Sequence, residues 1–383
     1  MASLELDLEL NLSFFEFKWP LQSNTAVDLN GPSSMTAIFS SVLNDATGQK
    51  WTTDCEPKPL GKAGYFCSYV NEEGGHVILR YYSTSRLATV DVQEPKPNMV
   101  FTAAVVDKTL DLLNNRLGVV PLRHYLTLPR VSNVPRLYCT SDERVMVYDF
   151  DRILCDVQSE YQRIKILHSN EFGNTLILDD FVNLAEKDLV YTHQLMWKGC
   201  ISYKDKDVLV LGGGDGGVLN EVLKEDPKFV TMLEIDNTVV NMCKKYLRGA
   251  CGDSLDHLDG PRHKIVIDDC FIQLEHFAKA GRQFDIVFSD LTDVPLVQER
   301  EKGQGELREF WSLMRRALEM GLRVVKPNGY FLTHLVGLSA TDVITEYERL
   351  LSGWQKPKLK FERAEAMVPS FLELWTFYRI WVE

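Results

Sequence analysis

The sequence predicts an α/β protein built on a doubly wound parallel sheet, preceded by a small β-meander and an N-terminal α+β unit. Three observations carry this. From Asp207 onward apolar strands alternate with helical stretches, the order that builds a parallel sheet. The first of those strands runs directly into a glycine-rich turn that opens a helix. At the N-terminus a strand pattern with one polar face predicts an antiparallel sheet instead. At roughly 100 to 200 residues per domain, a chain of 383 residues holds two or three domains. The changes of pattern divide it into an N-terminal α+β domain over 1–120, a small β domain over 121–180 and a doubly wound domain over 181–383.

Taken in order, Leu4, Leu6, Leu8, Leu10 and Leu12 alternate with Glu5, Asp7, Glu9 and Asn11, the period of a half-buried strand. A helical pattern follows near Thr36 to Leu43, then strands at Gly64 to Val70, His76 to Tyr82 and Leu87 to Val92. Pro95 and Pro97 break the run, and an amphipathic helix spans about Thr102 to Leu117. Short strands at Arg144 to Phe150, Arg152 to Val157, Arg163 to His168 and Thr175 to Leu178 predict the meander. The alternating part has strands at Asp207 to Leu211, Phe229 to Leu233, His263 to Ile267 and Asp285 to Ser289, with helices from Val218, Thr238 and Phe271 between them. Helices over Glu306 to Val325 and Ala340 to Leu351, a strand over Tyr330 to His334 and two final strand-like runs ending in Leu374 to Val382 complete the chain.

Composition narrows the function. There are 54 Asp and Glu against 42 Lys and Arg, a formal net charge of -12, with 45% hydrophobic and 25% charged residues. That is globular rather than disordered, and its sign argues against a nucleic-acid backbone and for a cationic partner, if the charge is functional at all. The eight cysteines form no CxxC pair, and Met1 to Pro20 lacks a basic start and an unbroken apolar run. The expectation is a reducing, cytoplasmic setting with free thiols and no membrane span.

The turn Gly212-Gly213-Gly214-Asp215-Gly216-Gly217 contains the spacing Gly212-x-Gly214-x-x-Gly217, in the strand-turn-helix context that lets a nucleoside approach a helix start. The second strand ends in Glu234-Ile235-Asp236, and 234 − 214 = 20 is the spacing of an acid that holds ribose hydroxyls. Asp215 inside the turn faces the place where a dinucleotide sets its pyrophosphate; like charges repel there, which favours a ligand cationic at that point. A plain helix-capping role for Asp215 is the alternative. Asp269 and Asp290 end the third and fourth strands, so Asp215, Glu234, Asp236, Asp269 and Asp290 are expected to converge beyond the strand ends with almost no basic residue among them. Such oxygens also suit Mg2+ or Ca2+, but the glycine turn and the ribose acid assign the space to a nucleoside, and no metal is expected.

These residues resemble the aminopropyltransferases of polyamine synthesis. The resemblance rests on Gly212 to Gly217, Glu234-Ile235-Asp236 and Asp290-Leu291-Thr292 within Asp285 to Pro295. It extends through Tyr161-Gln162-x-Ile164-Lys165-Ile166-Leu167-His168-Ser169, Phe172-Gly173-Asn174, Asn183-Leu184-Ala185-Glu186 to Tyr191-Thr192, and Pro369-Ser370-Phe371-Leu372-Glu373-Leu374-Trp375. Asp290-Leu291-Thr292 followed by Val294-Pro295, and Leu372-Glu373-Leu374-Trp375, are similar to the spermine-forming branch found in animals. The resemblance implies a Rossmann-like catalytic domain of the methyltransferase type, a homodimer made through the N-terminal domain, and transfer of an aminopropyl group from decarboxylated S-adenosylmethionine to spermidine. That nucleoside is a co-substrate, and no cofactor is implied. Gln162, Gly212, Gly214, Glu234, Asp236, Asp269 and Cys270 would form its site, with Glu234 on the ribose. Gln162, Tyr191, Asp215, Phe371 and Glu373 would form the spermidine site, with Asp290 as catalytic base and Tyr191 as a possible relay. One position departs: Phe371 stands where the family has a tyrosine, which leaves spermidine-forming and thermospermine-forming enzymes open as alternatives. An S-adenosylmethionine methyltransferase and an inactive polyamine-binding protein are more remote, because neither needs Asp215, Asp290, Tyr191 and Glu373 together. His168, His193 and His276 read as structural or exposed, and Cys270 as a packing residue rather than a nucleophile.

Overall fold

The computed structural model describes residues 10–18, 32–95, 98–124, 128–131, 133–140, 144–291 and 308–383. The chain divides into two compact units, Met1–Arg136 and Leu137–Glu383.

The first unit runs β1 (Leu10–Lys18), α1 (Pro32–Thr47), β2 (Thr52–Pro59), β3 (Gly64–Val70), β4 (His76–Tyr82), β5 (Leu87–Pro95), α2 (Ala103–Leu117), β6 (Val120–His124) and β7 (Leu128–Val131). Its sheet has the order β2-β3-β4-β5-β1-β6, with β7 also on β1, and all pairings are antiparallel. Burial alternates along β5, so Ala88, Val90 and Val92 meet Phe39 and Leu43 of α1 and Leu110 and Leu113 of α2 in one core. Thr102 caps α2 by accepting the Val105 N–H, and Gly118 ends it in the left-handed region at φ 65. The unit reaches past the boundary expected at residue 120 because β6 and β7 pair with β1. Residues 4–9 of the expected N-terminal strand lie outside the described residues.

The second unit begins with β8 (Leu137–Cys139) and β9 (Val145–Val147), which form a two-stranded ribbon shorter than the strand expected over 144–150. The expected meander follows as β10 (Arg152–Gln158), β11 (Arg163–Ser169), β12 (Gly173–Leu178) and β13 (Phe181–Ala185), in that spatial order. Then come α3 (Leu189–Leu195), β14 (Asp207–Gly212), α4 (Gly217–Leu223), β15 (Phe229–Glu234), α5 (Asn237–Tyr246), the short α6 (Arg248–Cys251), β16 (His263–Ile267), α7 (Cys270–Lys279), β17 (Phe284–Asp290), α8 (Arg308–Leu322), β18 (Val325–Gly337), α9 (Thr341–Ser352), β19 (Leu359–Val368) and β20 (Glu373–Val382).

The large sheet has the order β16-β15-β14-β17-β18-β20-β19. Its first five strands are parallel, while β20 is antiparallel to β18 and β19. The chain builds outward from β14 to β15 and β16, then returns to place β17 on the other side of β14. That reversal leaves a crevice beyond the carboxyl ends of β14 and β17, where ligands enter such sheets. Both faces are covered: Val208, Val210, Met232 and Phe288 belong to one core, Leu209, Leu211, Leu233 and Val287 to another. This is why these strands read as unbroken apolar runs rather than as alternating ones.

Candidate active site

A cavity of about 560 Å³ in the second unit opens at that crevice. The turn after β14 shapes its floor. The register pairs Gly212 with Asp290, and the Gly213 N–H donates to the Asp290 carbonyl at 3.0 Å. Gly212 sits at φ 77, and a Cβ there would lie 2.3 Å from that carbonyl oxygen, so only glycine fits.

Asp215, Glu234, Asp269 and Asp290 all line the cavity, as expected, and so does Glu373. Glu234 is buried, with Oε2 accepting the Gly214 N–H at 3.0 Å and Oε1 the Asp236 N–H at 2.8 Å. Burial first, then the Asp236 and Asp215 charges, push its carboxyl up to about 7 against those two hydrogen bonds. Asp269 caps α7 by accepting the Phe271 N–H at 2.7 Å. Asp215 Oδ1 accepts the Gly217 N–H at the start of α4 at 2.7 Å, and the residue also lines the cavity. Burial raises its carboxyl above the usual range.

Asp236 is the exception among the five acids, since it is not one of the cavity-lining residues. The strand ends at Glu234, and Asp236 becomes the N-cap of α5, accepting the Thr238 N–H at 2.9 Å. Its other oxygen accepts from Ser159 Oγ at 2.6 Å and from Gln162 Nε2 at 3.2 Å. It therefore holds Gln162, which does line the cavity, rather than reaching a ligand itself. Cys270 also lines the cavity, and burial pushes its thiol up to about 12, which removes it as a nucleophile.

Tyr191, from α3, donates its hydroxyl proton to Asp290 Oδ1 at 2.9 Å. Burial, then the Asp215 charge, push the Asp290 carboxyl up to about 8, and the Tyr191 hydrogen bond only partly opposes them. The Tyr191 ring packs edge-on against Phe371 and Phe377 and lies 5.6 Å from the ring of His334. Phe371 in turn meets Trp375 edge-on, with ring centroids 4.8 Å apart. Glu373 pairs with Arg144 through Oε2 and accepts from the Ser339 N–H and hydroxyl through Oε1.

Two features run against the sequence reading. Basic groups are present at the cleft: Arg316 lines the cavity, stacked on Phe271, and Arg144 sits on Glu373. His334, passed over among the histidines, lines the cavity with Nε2 3.9 Å from Asp290 Oδ1. The indole N–H of Trp375, a donor only, points to His334 Nδ1 at 3.4 Å, so the ring proton belongs on Nε2. Burial lowers this imidazole to about 4, which leaves it neutral beside the acids at pH 7. The signal was available, because the expected strand over Tyr330 to His334 ends level with Asp290; the register pairs Ser289 with Thr333.

A glycine turn and a buried acid, Glu234, at the switch point of a doubly wound sheet define a Rossmann-like α/β domain of the methyltransferase type. The family described as the spermine/spermidine synthase domain matches residues 188–383, just over half of the chain, and the spermidine synthase tetramerisation domain matches residues 134–186. The chain belongs to the spermine/spermidine synthase family, whose members are enzymes. It is 34% identical over 199 residues to the polyamine aminopropyltransferase of Pyrobaculum aerophilum, covering 50% of this chain and 65% of that one. To polyamine aminopropyltransferase 1 of Pseudomonas aeruginosa it is 34% identical over 188 residues, covering 48% and 61%. The chain thus spans less than two thirds of the length of these two relatives. A crystal structure of spermidine synthase in complex with the transition state analogue AdoDATO shares the fold, with a TM-score of 0.52 at 23% identity over 65% of this chain and 80% of that one.

Proposed function

We propose that the protein transfers the aminopropyl group of decarboxylated S-adenosylmethionine to spermidine, giving spermine and methylthioadenosine. The observation that carries this reading is the Tyr191–Asp290 pair, set between the glycine turn and a second acid, Glu373. The nucleophile is an amine with a pKa near about 10.4, of which only roughly one molecule in 2,500 is unprotonated at pH 7. In the step itself the amine nitrogen forms a bond to the carbon next to sulfur, the carbon–sulfur bond breaks, and its electron pair neutralises the sulfonium. The proton lost by nitrogen goes to the Asp290 carboxylate, whose raised affinity for protons suits it as a general base. Asp215 and Glu373 attract the remaining ammonium groups. Neutral His334 adds no repulsion, and the ring of Phe371 offers an apolar wall to the methylene chain between the charges. Glu234 suits the ribose hydroxyls, with Gln162, Asp269 and Cys270 around the rest of the nucleoside.

The presence of Glu373 in the same cavity as Asp215 and Asp290 favours the longer acceptor, whose terminal amine reacts at Asp290 while the other acids attract the ammonium groups further along its chain. Incubating the protein with decarboxylated S-adenosylmethionine and either putrescine or spermidine, then separating the products, tests this. Spermine from spermidine is the expected product; preferential use of putrescine sinks the assignment. We further propose a homodimer made through the first unit in a reducing, cytoplasmic setting, which the eight free thiols support. Sedimentation of the full chain as a monomer rules out the dimer.

A further inference from the structure

Asp188 is a buried carboxylate that the chemistry above does not use. It stands just before α3 and is not one of the cavity-lining residues. Its Oδ2 accepts the Ala185 N–H at 2.7 Å and the Ser370 hydroxyl, and its Oδ1 accepts the Ser370 N–H at 2.9 Å. Ser370 is fully buried, and its carbonyl accepts the Tyr148 hydroxyl at 2.8 Å. Every polar group of Ser370 is therefore fixed.

What Ser370 holds is a strained turn. Between β19 and β20 the chain reverses through residues 369–372, and Leu372 lies in the left-handed region at φ 54, which a bulky side chain adopts only when its surroundings impose it. Its N–H donates to the Val368 carbonyl at 3.1 Å and the Pro369 carbonyl at 3.2 Å. The residues on either side of Leu372 are Phe371 and Glu373, and both line the cavity.

We infer that Asp188 is a positioning residue of the acceptor site: by clamping Ser370 it holds the strained turn that aims Phe371 and Glu373 at the acceptor, and it ties that turn to the helix carrying Tyr191. The identity of the acceptor rests on the proposed aminopropyl transfer; the clamp itself does not. A carboxylate suits the task because all three incoming groups are donors. An amide would turn one of its own N–H groups towards a donor, leaving a buried polar group unpaired.

The test is Asp188→Asn in the full chain. The expected result is a rise of about tenfold or more in the KM for spermidine, with methylthioadenosine affinity by calorimetry within about twofold of the parent. Hydrogen exchange at residues 370–372 is expected to quicken in the same variant. Ser370→Ala, which keeps the backbone bond and loses only the hydroxyl, is expected to raise that KM by roughly threefold to fivefold, and it decides the matter if Asp188→Asn does not fold. An unchanged KM in the folded variants overturns the inference, as does a parallel loss of nucleoside affinity. If the parent protein transfers no aminopropyl group, the proposed function fails separately; unchanged exchange protection at residues 370–372 in the variants then overturns the clamp.

Discussion

Two pairs of acids in the cavity are held in different ways. At the proposed nucleoside end Glu234 and Asp269 lean on backbone N–H groups from their own or neighbouring turns, donors that are present whatever the side chains do. At the proposed acceptor end Asp290 is held by the side chain of Tyr191, and Glu373 by the side chain of Arg144 and by the hydroxyl and N–H of Ser339, from distant parts of the chain. The first arrangement is set by the backbone of the turns alone. The second depends on several elements arriving together, and so it is where acceptor choice can vary while the nucleoside site stays as it is.

Substitutions separate the two ends. The largest effect is expected from Asp290→Asn, which keeps an acceptor for Tyr191 but loses the base: turnover should fall by about 10²- to 10⁴-fold while methylthioadenosine binding persists. Retention of most activity shows that another group takes the proton. Glu234→Gln should instead weaken nucleoside binding by roughly tenfold or more, leaving the KM for spermidine little changed; an equal change in both constants merges the two ends. Gly337→Ala reaches the acceptor end alone, because a Cβ there would lie 2.3 Å from the Glu373 carboxyl carbon. The carboxylate must move, and the KM for spermidine is expected to rise severalfold, on the order of 1 kcal/mol, with nucleoside affinity constant. A KM that stays put shows that Glu373 does not touch the acceptor.

Acidity gives a smaller, signed effect. The folded-state value for Asp290, about 8, lies above its unfolded value of roughly 3.9. Its contribution to stability is thus complete below about pH 4 and lost as pH rises through 8. The melting temperature of Asp290→Asn should accordingly gain on that of the parent as pH rises from about 4 to about 8.5. The parent's kcat/KM should rise as pH approaches 8, because only the ionised base accepts the proton. A flat profile over that range, with no difference in melting, denies the raised acidity constant. Smallest of all, Cys270→Ala should alter turnover by less than about threefold, since its thiol stays protonated; a large loss in a peptide-mapped, folded variant reinstates the cysteine as a participant.

The same contrast explains what could be read from the sequence. The glycine turn and Glu234 are legible because strand, turn, helix and next strand follow one another without interruption from Asp207 to Glu234, and their spacing is itself the signature. Asp236 was misplaced for a local reason: in a continuing strand, residues two apart share a face, but this strand stops at Glu234 and the next residues start a helix. Tyr191 and Glu373 were named through family resemblance, since nothing in the local pattern announces pairs that are 99 or 229 residues apart. Arg144 escapes the sequence for that reason, and His334 because it is not weighed with His168, His193 and His276, although the strand expected over Tyr330 to His334 ends beside Asp290.

The ladder between β14, β17 and β18 works as a measuring rule. Gly212 is level with Asp290, and Ser289 with Thr333, so one hydrogen-bond step sets which side chain arrives at the crevice. Deleting or inserting one residue within β17 would bring Ser289 or Leu291 to that place and turn its apolar side chains to the wrong layers. An added or lost residue is therefore expected to be tolerated in the connections between these strands and not within them.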